Sequence, residues 1–239
     1  MIIESKSCVF TNEKKILFLH GYLSNGRSFF NQLKFFERDF EVFAPDLKGF
    51  GDNVGMEKPY SLDDYISEVN EYKYKYGLKR PHVVAHSFGG RIAIKATAQN
   101  NEFCSRLVLA GAAGLKPKNT LKKRTKKALF NFLKRFIDKE KLKGFYSKDY
   151  LALDGVMKES FKKIVSEYLD DYIAKINNET LIIFGKNDKE TPVYMAEILQ
   201  KGIPNAQLSL LDGAGHFCFI DKPYKFNVEV REFLLSQKL

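Results

Sequence analysis

Short apolar segments alternate along this chain with longer segments of helical pattern. The apolar segments are hydrophobic through most of their length, as expected for strands that are covered on both faces of a sheet. They occupy residues 16–19, 41–44, 82–85, 107–110, 181–184 and 207–211. The alternation predicts an α/β protein with a mostly parallel central sheet flanked by crossover helices.

Local signals mark several of the helices. Ser61 and Asp64 form a capping box in which Asp takes the place of Glu, so a helix is predicted from there to about Tyr76. Pro192 is predicted to be the first residue of its helix. Other helical patterns cover residues 89–99, 193–202 and 224–235.

One region departs from the alternation. Residues 115–178 have a helical pattern throughout and contain no convincing strand. We therefore predict a helical insertion at 115–178, with residues 1–114 and 179–239 forming the core of the protein.

Basic residues are concentrated in the first part of this insertion. The chain has 39 Lys and Arg against 29 Asp and Glu, a formal net charge of +10. Residues 115–150 contain 13 basic and 3 acidic residues, which accounts for the whole excess. A nucleic-acid-binding protein can have such a segment, and so can an inserted surface module. We predict no nucleic-acid partner.

The remaining composition is that of a globular protein, with 44% hydrophobic and 14% aromatic residues. No apolar run approaches the roughly 18–20 residues of a membrane helix, and the start of the chain, with Glu4, does not resemble a signal peptide. Cys8, Cys104 and Cys218 are few, odd in number and far apart, which favours reduced thiols. No Cys/His cluster has metal-ligand spacing. We predict a cytoplasmic protein without metal or cofactor, and the oligomeric state stays open.

The strand at 82–85 runs directly into a helix through Ala85-His-Ser87-Phe-Gly89. A strand that turns into a helix within about two residues forces the central residue into a strained conformation and exposes its side chain. Small neighbours allow the turn to pack, although Ala85 stands where the usual pattern has Gly. The segment predicts a nucleophilic Ser87, and an ordinary turn with a capping Ser is the alternative.

Four further motifs follow strands along the chain. They are His20-Gly21-Tyr22, Asp46-Leu-Lys-Gly49-Phe-Gly51, the segment from Gly185 through Asp188 to Pro192, and Gly215-His216. In this order and spacing, the five motifs together resemble the α/β-hydrolase family. The resemblance covers nearly the whole chain and is weakest over residues 115–178.

The resemblance implies a catalytic triad. Ser87 would be the nucleophile, His216 the general base and Asp188 the acid that orients it, in the chain order that this fold imposes. Glu190 is a nearby rival for the acid. The amides of Tyr22 and Phe88 would form the oxyanion hole.

The same resemblance assigns other polar residues to structural positions. Asp46 would hydrogen-bond backbone amides in a turn. Among the other histidines, His20 belongs to the oxyanion loop, His82 opens a strand, and His86 occupies the variable position beside the nucleophile.

In this family a cap is inserted after the sixth strand, and residues 115–178 fall where that cap belongs. Between residues 121 and 137, apolar residues recur at three- and four-residue spacing with Lys and Arg between them, which predicts a basic amphipathic helix. The basic residues could be a solvated face, attract anionic substrates or acidic partners, or hold the protein at an anionic membrane surface. We expect the solvated face.

The function implied is hydrolysis of a small-molecule carboxylic ester through an acyl-enzyme on Ser87. Two alternatives stay open. One is a carbon–carbon bond hydrolase or lyase acting on an anionic substrate, because Arg91 is similar to an Arg of the menaquinone-pathway synthase of this fold. The other is a ligand-responsive signalling protein that retains the triad.

Overall fold

The structure is a computed structural model that describes residues 14–118 and 155–236. Its strands lie where the apolar segments predicted them, with bounds that differ by one residue at most. They are β1 Lys15–Leu19, β2 Glu41–Phe43, β3 His82–His86, β4 Leu107–Ala110, β5 Thr180–Gly185 and β6 Ala206–Leu211. The predicted strand pattern is therefore confirmed.

The six strands form one parallel sheet in the order β2-β1-β3-β4-β5-β6. Because the strands are parallel, all of their carboxyl ends lie at the same edge of the sheet. In open sheets of this kind the crevice at that edge is the usual ligand site.

The helices named here are α1 Phe30–Phe36, α2 Leu62–Lys75, α3 Phe88–Gln99, α4 Gly155–Ser166, α5 Val193–Gly202, α6 Cys218–Asp221 and α7 Pro223–Leu235. The Ser61 side chain accepts from the Asp64 amide and the Asp64 carboxylate accepts from the Ser61 amide, so the predicted capping box is present. Pro192 has an extended ψ of 154° and caps α5, which begins one residue later than predicted. The short helices α1 and α6 were not predicted.

Both faces of the sheet are covered by helices. Leu17 and Leu19 of β1 pack with α2, α3 and α5 on one face, whereas Ile16 and Phe18 pack with α1, α6 and α7 on the other. All four side chains are fully buried. Burying a side chain of this size stabilises the fold by about 1.5–3 kcal/mol, which is why the strands are hydrophobic on both faces. The structure confirms the predicted α/β class.

The segment between β4 and β5 leaves the sheet and returns to it. The Leu169 amide donates to the Gly114 carbonyl at 3.0 Å, so the two ends of this segment meet at the sheet. Between them, Met157 and Ile164 of α4 are buried in the core. The basic helix predicted between residues 121 and 137 lies outside the described residues, and the boundaries 115–178 stay a prediction.

Two other sequence expectations concern cysteines and the membrane. Cys104 and Cys218 are buried free thiols, and Cys8 lies outside the described residues. Burial raises the pKa of Cys104 to about 11. Within residues 14–118 and 155–236, no helix has the length and apolar character needed to cross a bilayer.

Candidate active site

Ser87 stands between β3 and α3 in a strained backbone conformation. Its φ is 48° and its ψ is −106°, in a region that residues with a side chain rarely adopt. The residues around it must be small because the turn is tight. A Cβ on Gly89 would lie 2.2 Å from the Leu19 carbonyl oxygen, and a Cβ on Gly90 would lie 2.6 Å from the Ala112 Cβ. The turn is therefore strained and tight, as the sequence pattern predicted, and the role of Ser87 as nucleophile stays a prediction.

Hydrogen bonds to the neighbouring strand fix the Ser87 backbone. Its amide donates to the Ala110 carbonyl at 3.1 Å, and its carbonyl accepts from the Ala113 amide at 3.1 Å. The side chain is half-buried at the carboxyl edge of the sheet. Ser87 is also the N-cap of α3, so the positive end of the helix dipole lies beside its side chain.

His216 and Asp188 are paired at the same edge. Asp188 follows β5, His216 follows β6, and His216 Nδ1 lies 2.9 Å from Asp188 Oδ2. The Asp188 side chain has no exposed area and that of His216 is 9% exposed. A buried carboxylate on Nδ1 holds the imidazole with its Nε2 available as a base, as a triad requires.

The loop after β5 supplies further hydrogen bonds to Asp188. The amides of Glu190 and Thr191 each donate to Oδ1 at 2.9 Å, and the Thr191 hydroxyl donates to Oδ2 at 2.7 Å. Burial alone would raise the pKa of Asp188, but the hydrogen bonds from His216 and Thr191 outweigh it and hold this pKa below its usual value. The carboxylate is therefore ionised beside the histidine.

Glu190, the rival acid, lies on the other side of the imidazole. Its carboxylate is 3.8 Å from His216 Nε2 and its side chain is 67% exposed. An acid that orients a catalytic histidine must face Nδ1 and leave Nε2 to the nucleophile. Of the two carboxylates, Asp188 faces Nδ1 and Glu190 faces Nε2, and the role of Asp188 as the orienting acid stays a prediction.

The other three histidines occupy structural positions. His20 is buried, donates from Nδ1 to the Gly21 carbonyl at 2.8 Å, and accepts the Leu47 amide at Nε2. Burial lowers the pKa of His20. His82 lies at the opposite end of β3, with Nδ1 2.7 Å from the Ser105 hydroxyl. His86 immediately precedes Ser87 and contacts His216.

The predicted oxyanion-hole residues are neighbours in space. The Tyr22 ring lies 5.3 Å from the Phe88 ring, and the next residue, Leu23, has a positive φ of 53°. A Cβ on Gly21 would lie 3.5 Å from Ser87 Cβ, so this loop passes directly beside the candidate nucleophile. Phe88 is the first residue of α3, where the amide has no acceptor within the helix.

The loop after β2 has the structural role expected for Asp46. Its carboxylate accepts from the amides of Gly26 at 2.7 Å and Asp52 at 2.8 Å. A Cβ on Gly51 would lie 2.2 Å from Asp46 Oδ2, which explains why the motif contains this glycine.

Sequence reasoning missed Thr191 and Gly111. Besides its bond to Asp188, Thr191 Oγ1 lies 3.3 Å from His216 Nδ1 and 3.1 Å from the Gly111 carbonyl. Gly111 has a φ of +50°, and a Cβ there would lie 3.1 Å from the His216 carbonyl oxygen. An Asp followed three residues later by Thr is a local turn pattern, and it could have indicated Thr191.

Arg91 is buried but binds the chain backbone. Its Nη1 donates to the carbonyls of Ile164 and Glu167, both at 2.9 Å. These carbonyls lie at the carboxyl end of α4, where the helix dipole favours a cation. The guanidinium therefore holds the chain that follows α4 against α3. The similarity of Arg91 to the synthase Arg did not predict this contact.

A large cavity among the described residues lies away from this site. It has a volume of about 850 Å³ and opens along the free edge of β2, between α1 and α2. Among the described residues that line it, none is Ser87, Asp188 or His216. In the same part of the chain, no three His, Cys, Asp or Glu side chains are grouped so as to hold a metal ion.

Known proteins resemble this chain over most of its length. A family model described as the alpha/beta hydrolase fold matches residues 14–136 and 118–223. The monoacylglycerol lipase abhd6-B of Xenopus laevis is 25% identical over 264 residues, covering 94% of this chain and 76% of the lipase. The 2-hydroxymuconate semialdehyde hydrolase of Pseudomonas putida is 26% identical over 220 residues, covering 81% of this chain and 76% of that enzyme.

A solved structure has the same fold. The esterase EaEST of Exiguobacterium antarcticum matches with a TM-score of 0.74 and 24% identity, covering 93% of this chain and 92% of the esterase. The six-stranded parallel sheet and the extent of the family match lead to one conclusion: the chain belongs to the alpha/beta hydrolase fold family and is a hydrolase of that superfamily.

Proposed function

We propose that this protein hydrolyses carboxylic esters through an acyl-enzyme on Ser87. The observation that carries the proposal is the position of a strained serine at the N-terminus of α3, at the same sheet edge as the buried Asp188–His216 pair. A serine nucleophile needs a base and an oriented third group, and this edge supplies candidates for both.

In the proposed reaction, Ser87 Oγ attacks the ester carbonyl and its proton passes to His216 Nε2. Asp188 stabilises the imidazolium through Nδ1, while the amides of Tyr22 and Phe88 donate to the oxyanion. The carbon–oxygen bond to the alcohol then breaks, and His216 gives its proton to the leaving oxygen. Water attacks the acyl-enzyme with His216 again as base, which restores Ser87 and releases the acid.

The substrate class we propose is a neutral ester of small or medium size. The names of two of the similar proteins, a monoacylglycerol lipase and an esterase, support an ester substrate. The aromatic rings near the candidate site support an apolar substrate group. The centroid of the Tyr22 ring lies 4.8 Å from that of Phe50 and 5.1 Å from that of Phe161, a residue of α4.

The first test is covalent labelling. An organophosphonate ester should add one label to the wild-type protein, and peptide mass spectrometry should find it on Ser87. Ser87→Ala should lose the label and lower ester turnover by several orders of magnitude, on the order of 10⁶ in the best-studied triad. Undiminished labelling of Ser87→Ala would show that another residue is the nucleophile.

A second candidate function is hydrolysis of a carbon–carbon bond in an anionic substrate. The similarity to 2-hydroxymuconate semialdehyde hydrolase favours it. Arg91, whose similarity to an Arg of the menaquinone-pathway synthase suggested this alternative, donates instead to two backbone carbonyls, which weakens that argument. Parallel assays with aryl esters and anionic diketones separate the two reactions. Very slow turnover of both classes, with ligand-induced protection of the insertion from hydrogen exchange, would favour the signalling alternative.

A further inference from the structure

His86 is the last residue of β3 and directly precedes Ser87. Its side chain is buried, and its Nε2 lies 3.0 Å from the backbone carbonyl oxygen of His216. The two imidazole rings lie 4.8 Å apart. A residue on the nucleophile's strand is thus hydrogen-bonded to the residue proposed as the base, 130 positions later in the chain.

The direction of this hydrogen bond fixes the tautomer of His86. A carbonyl oxygen can only accept, so Nε2 must carry a proton, and in the neutral ring Nδ1 is then unprotonated. Nδ1 faces the oxyanion loop, because a Cβ on Gly21 would lie 2.9 Å from it. His86 therefore lies between the loop after β1, the nucleophile and the loop after β6.

The ring is also enclosed by aromatic side chains. The centroid of the Phe217 ring lies 5.0 Å from that of the His86 ring, and the centroid of the Phe219 ring lies 4.9 Å from it. Burial, and then the neighbouring His216, lower the pKa of His86 to about 3. A neutral imidazole at this position does not repel the positive charge that His216 acquires when it takes a proton.

We infer that His86 is a positioning residue for the general base, tying the His216 backbone to the strand that carries Ser87. The inference rests on the proposed function, since it assigns His216 as that base. A displacement of about 1 Å in a catalytic group can lower the rate by about 10²-fold. The hydrogen bond to the His216 carbonyl and the ring contact together restrain such a displacement.

Two amide substitutions separate positioning from simple packing. In Gln, the side-chain nitrogen is as many bonds from Cα as Nε2 is in His, so His86→Gln can still donate to the His216 carbonyl. His86→Asn places its amide too close to the backbone to reach that oxygen. We expect kcat for a p-nitrophenyl ester to fall about 10- to 100-fold in His86→Asn and less than about fivefold in His86→Gln, with KM nearly unchanged in both.

His82 provides a matched control, because it is a buried histidine at the other end of the same strand, with a hydrogen bond to Ser105. His82→Asn should leave kcat within about threefold of wild type, even if it lowers the melting temperature. Equal kcat values in His86→Asn and His86→Gln, or equal losses in His82→Asn and His86→Asn, would overturn the inference.

The labelling rate of Ser87 by an organophosphonate distinguishes this failure from a failure of the proposed function. If the wild-type protein labels at Ser87 but cleaves no ester, the substrate proposal fails. The inference is then judged on the labelling rate, which should fall in His86→Asn and recover in His86→Gln. Labelling rates that are equal in the two variants would contradict it.

Discussion

Ser87 holds a conformation that is unfavourable for an isolated residue. A non-glycine residue in such a region of φ and ψ costs on the order of 1–3 kcal/mol. The bonds from its amide to Ala110 and from Ala113 to its carbonyl stabilise that conformation, because both partners belong to β4 or to the loop that follows it. The strain places the side chain at the sheet edge, where the paired Asp188 and His216 lie.

Asp188 is the residue whose proposed role is tested most directly by a conservative change. Asp188→Asn keeps the size of the side chain, but its amide favours the wrong tautomer of His216. We expect kcat to fall by roughly 10⁴ while the protein stays folded. Ester turnover and circular dichroism, measured on the same preparations, check both parts.

Two exposed carboxylates serve as controls for that change. Glu190 faces Nε2 of the histidine, and Asp212 is 76% exposed and paired with Lys186. Glu190→Gln and Asp212→Asn should each lower kcat far less than Asp188→Asn. A loss in either control as large as that in Asp188→Asn would mean that Asp188 is not the orienting acid.

At the scale of single residues, much of the candidate site could be predicted from the sequence, because these residues lie at strand ends that local sequence patterns mark. Ser87, Asp188 and His216 each follow an apolar segment and sit in a recognisable turn. The contacts of His86 and Thr191 could not be predicted in the same way. They join segments that are distant in the chain, and their geometry depends on strand register.

At the scale of elements, α3 connects the candidate site to the insertion. Lys95 lies two turns beyond Ser87, and its Nζ is 2.8 Å from the Asp63 carboxylate and 2.6 Å from the Glu167 carboxylate. Burial alone would lower the pKa of Lys95, but these carboxylates raise it above its usual value. The ammonium links α3 both to the start of α2 and to the chain that follows α4.

Lys95→Met should weaken this link. Removal of a buried cation bound to two carboxylates should lower the free energy of unfolding by about 1–3 kcal/mol. The loss should not be larger, because both carboxylates are exposed enough to be hydrated once the ammonium is gone. If the insertion covers the substrate, KM should rise more than kcat falls. Urea denaturation and steady-state kinetics provide the two measurements.

The exposed pair of Lys186 and Asp212 is a suitable control, since its side chains are 48% and 76% exposed. Lys186→Met should change the free energy of unfolding by less than about 1 kcal/mol, as is usual for surface ion pairs. Equal destabilisation by Lys95→Met and Lys186→Met would show that burial of Lys95 does not strengthen its contacts.

The short helices α1 and α6 could not be predicted from the sequence. α6 has four residues and α1 has seven, which is too little chain for an apolar period to be recognised. Their formation depends on packing, since Phe36 of α1 and Phe219 of α6 are fully buried against the sheet. The longer helices, in contrast, contain enough turns to show a periodic pattern.

For the whole molecule, acid should be destabilising, partly because of His86. Its pKa is about 3 in the folded protein and about 6.5 in an unfolded chain. Between these values the unfolded chain binds a proton at this residue and the folded protein does not, so stability falls as the pH decreases through that window. The charges of His216, Asp188 and His20 also act on the ring.

This residue alone should contribute a slope of up to about 1.4 kcal/mol per pH unit between about pH 6.5 and pH 3. His86→Gln cannot titrate, so its free energy of unfolding should change less with pH in this range. Urea denaturation of both proteins at several pH values from about 4.5 to 7.5 tests this expectation. Parallel stability curves for the two proteins would contradict the assignment of a neutral, buried His86.

The hydrogen bond between the Leu169 amide and the Gly114 carbonyl has a consequence for evolution. The core holds Gly114 and Leu169 together, so the entropy of closing the chain between them depends only weakly on the number of residues in it. Doubling that length would cost only about 0.6 kcal/mol. A descendant of such a protein can therefore gain residues between these two positions at little cost in closure entropy, provided that the packing of α4 and the contacts of Arg91 and Lys95 with the returning chain are kept.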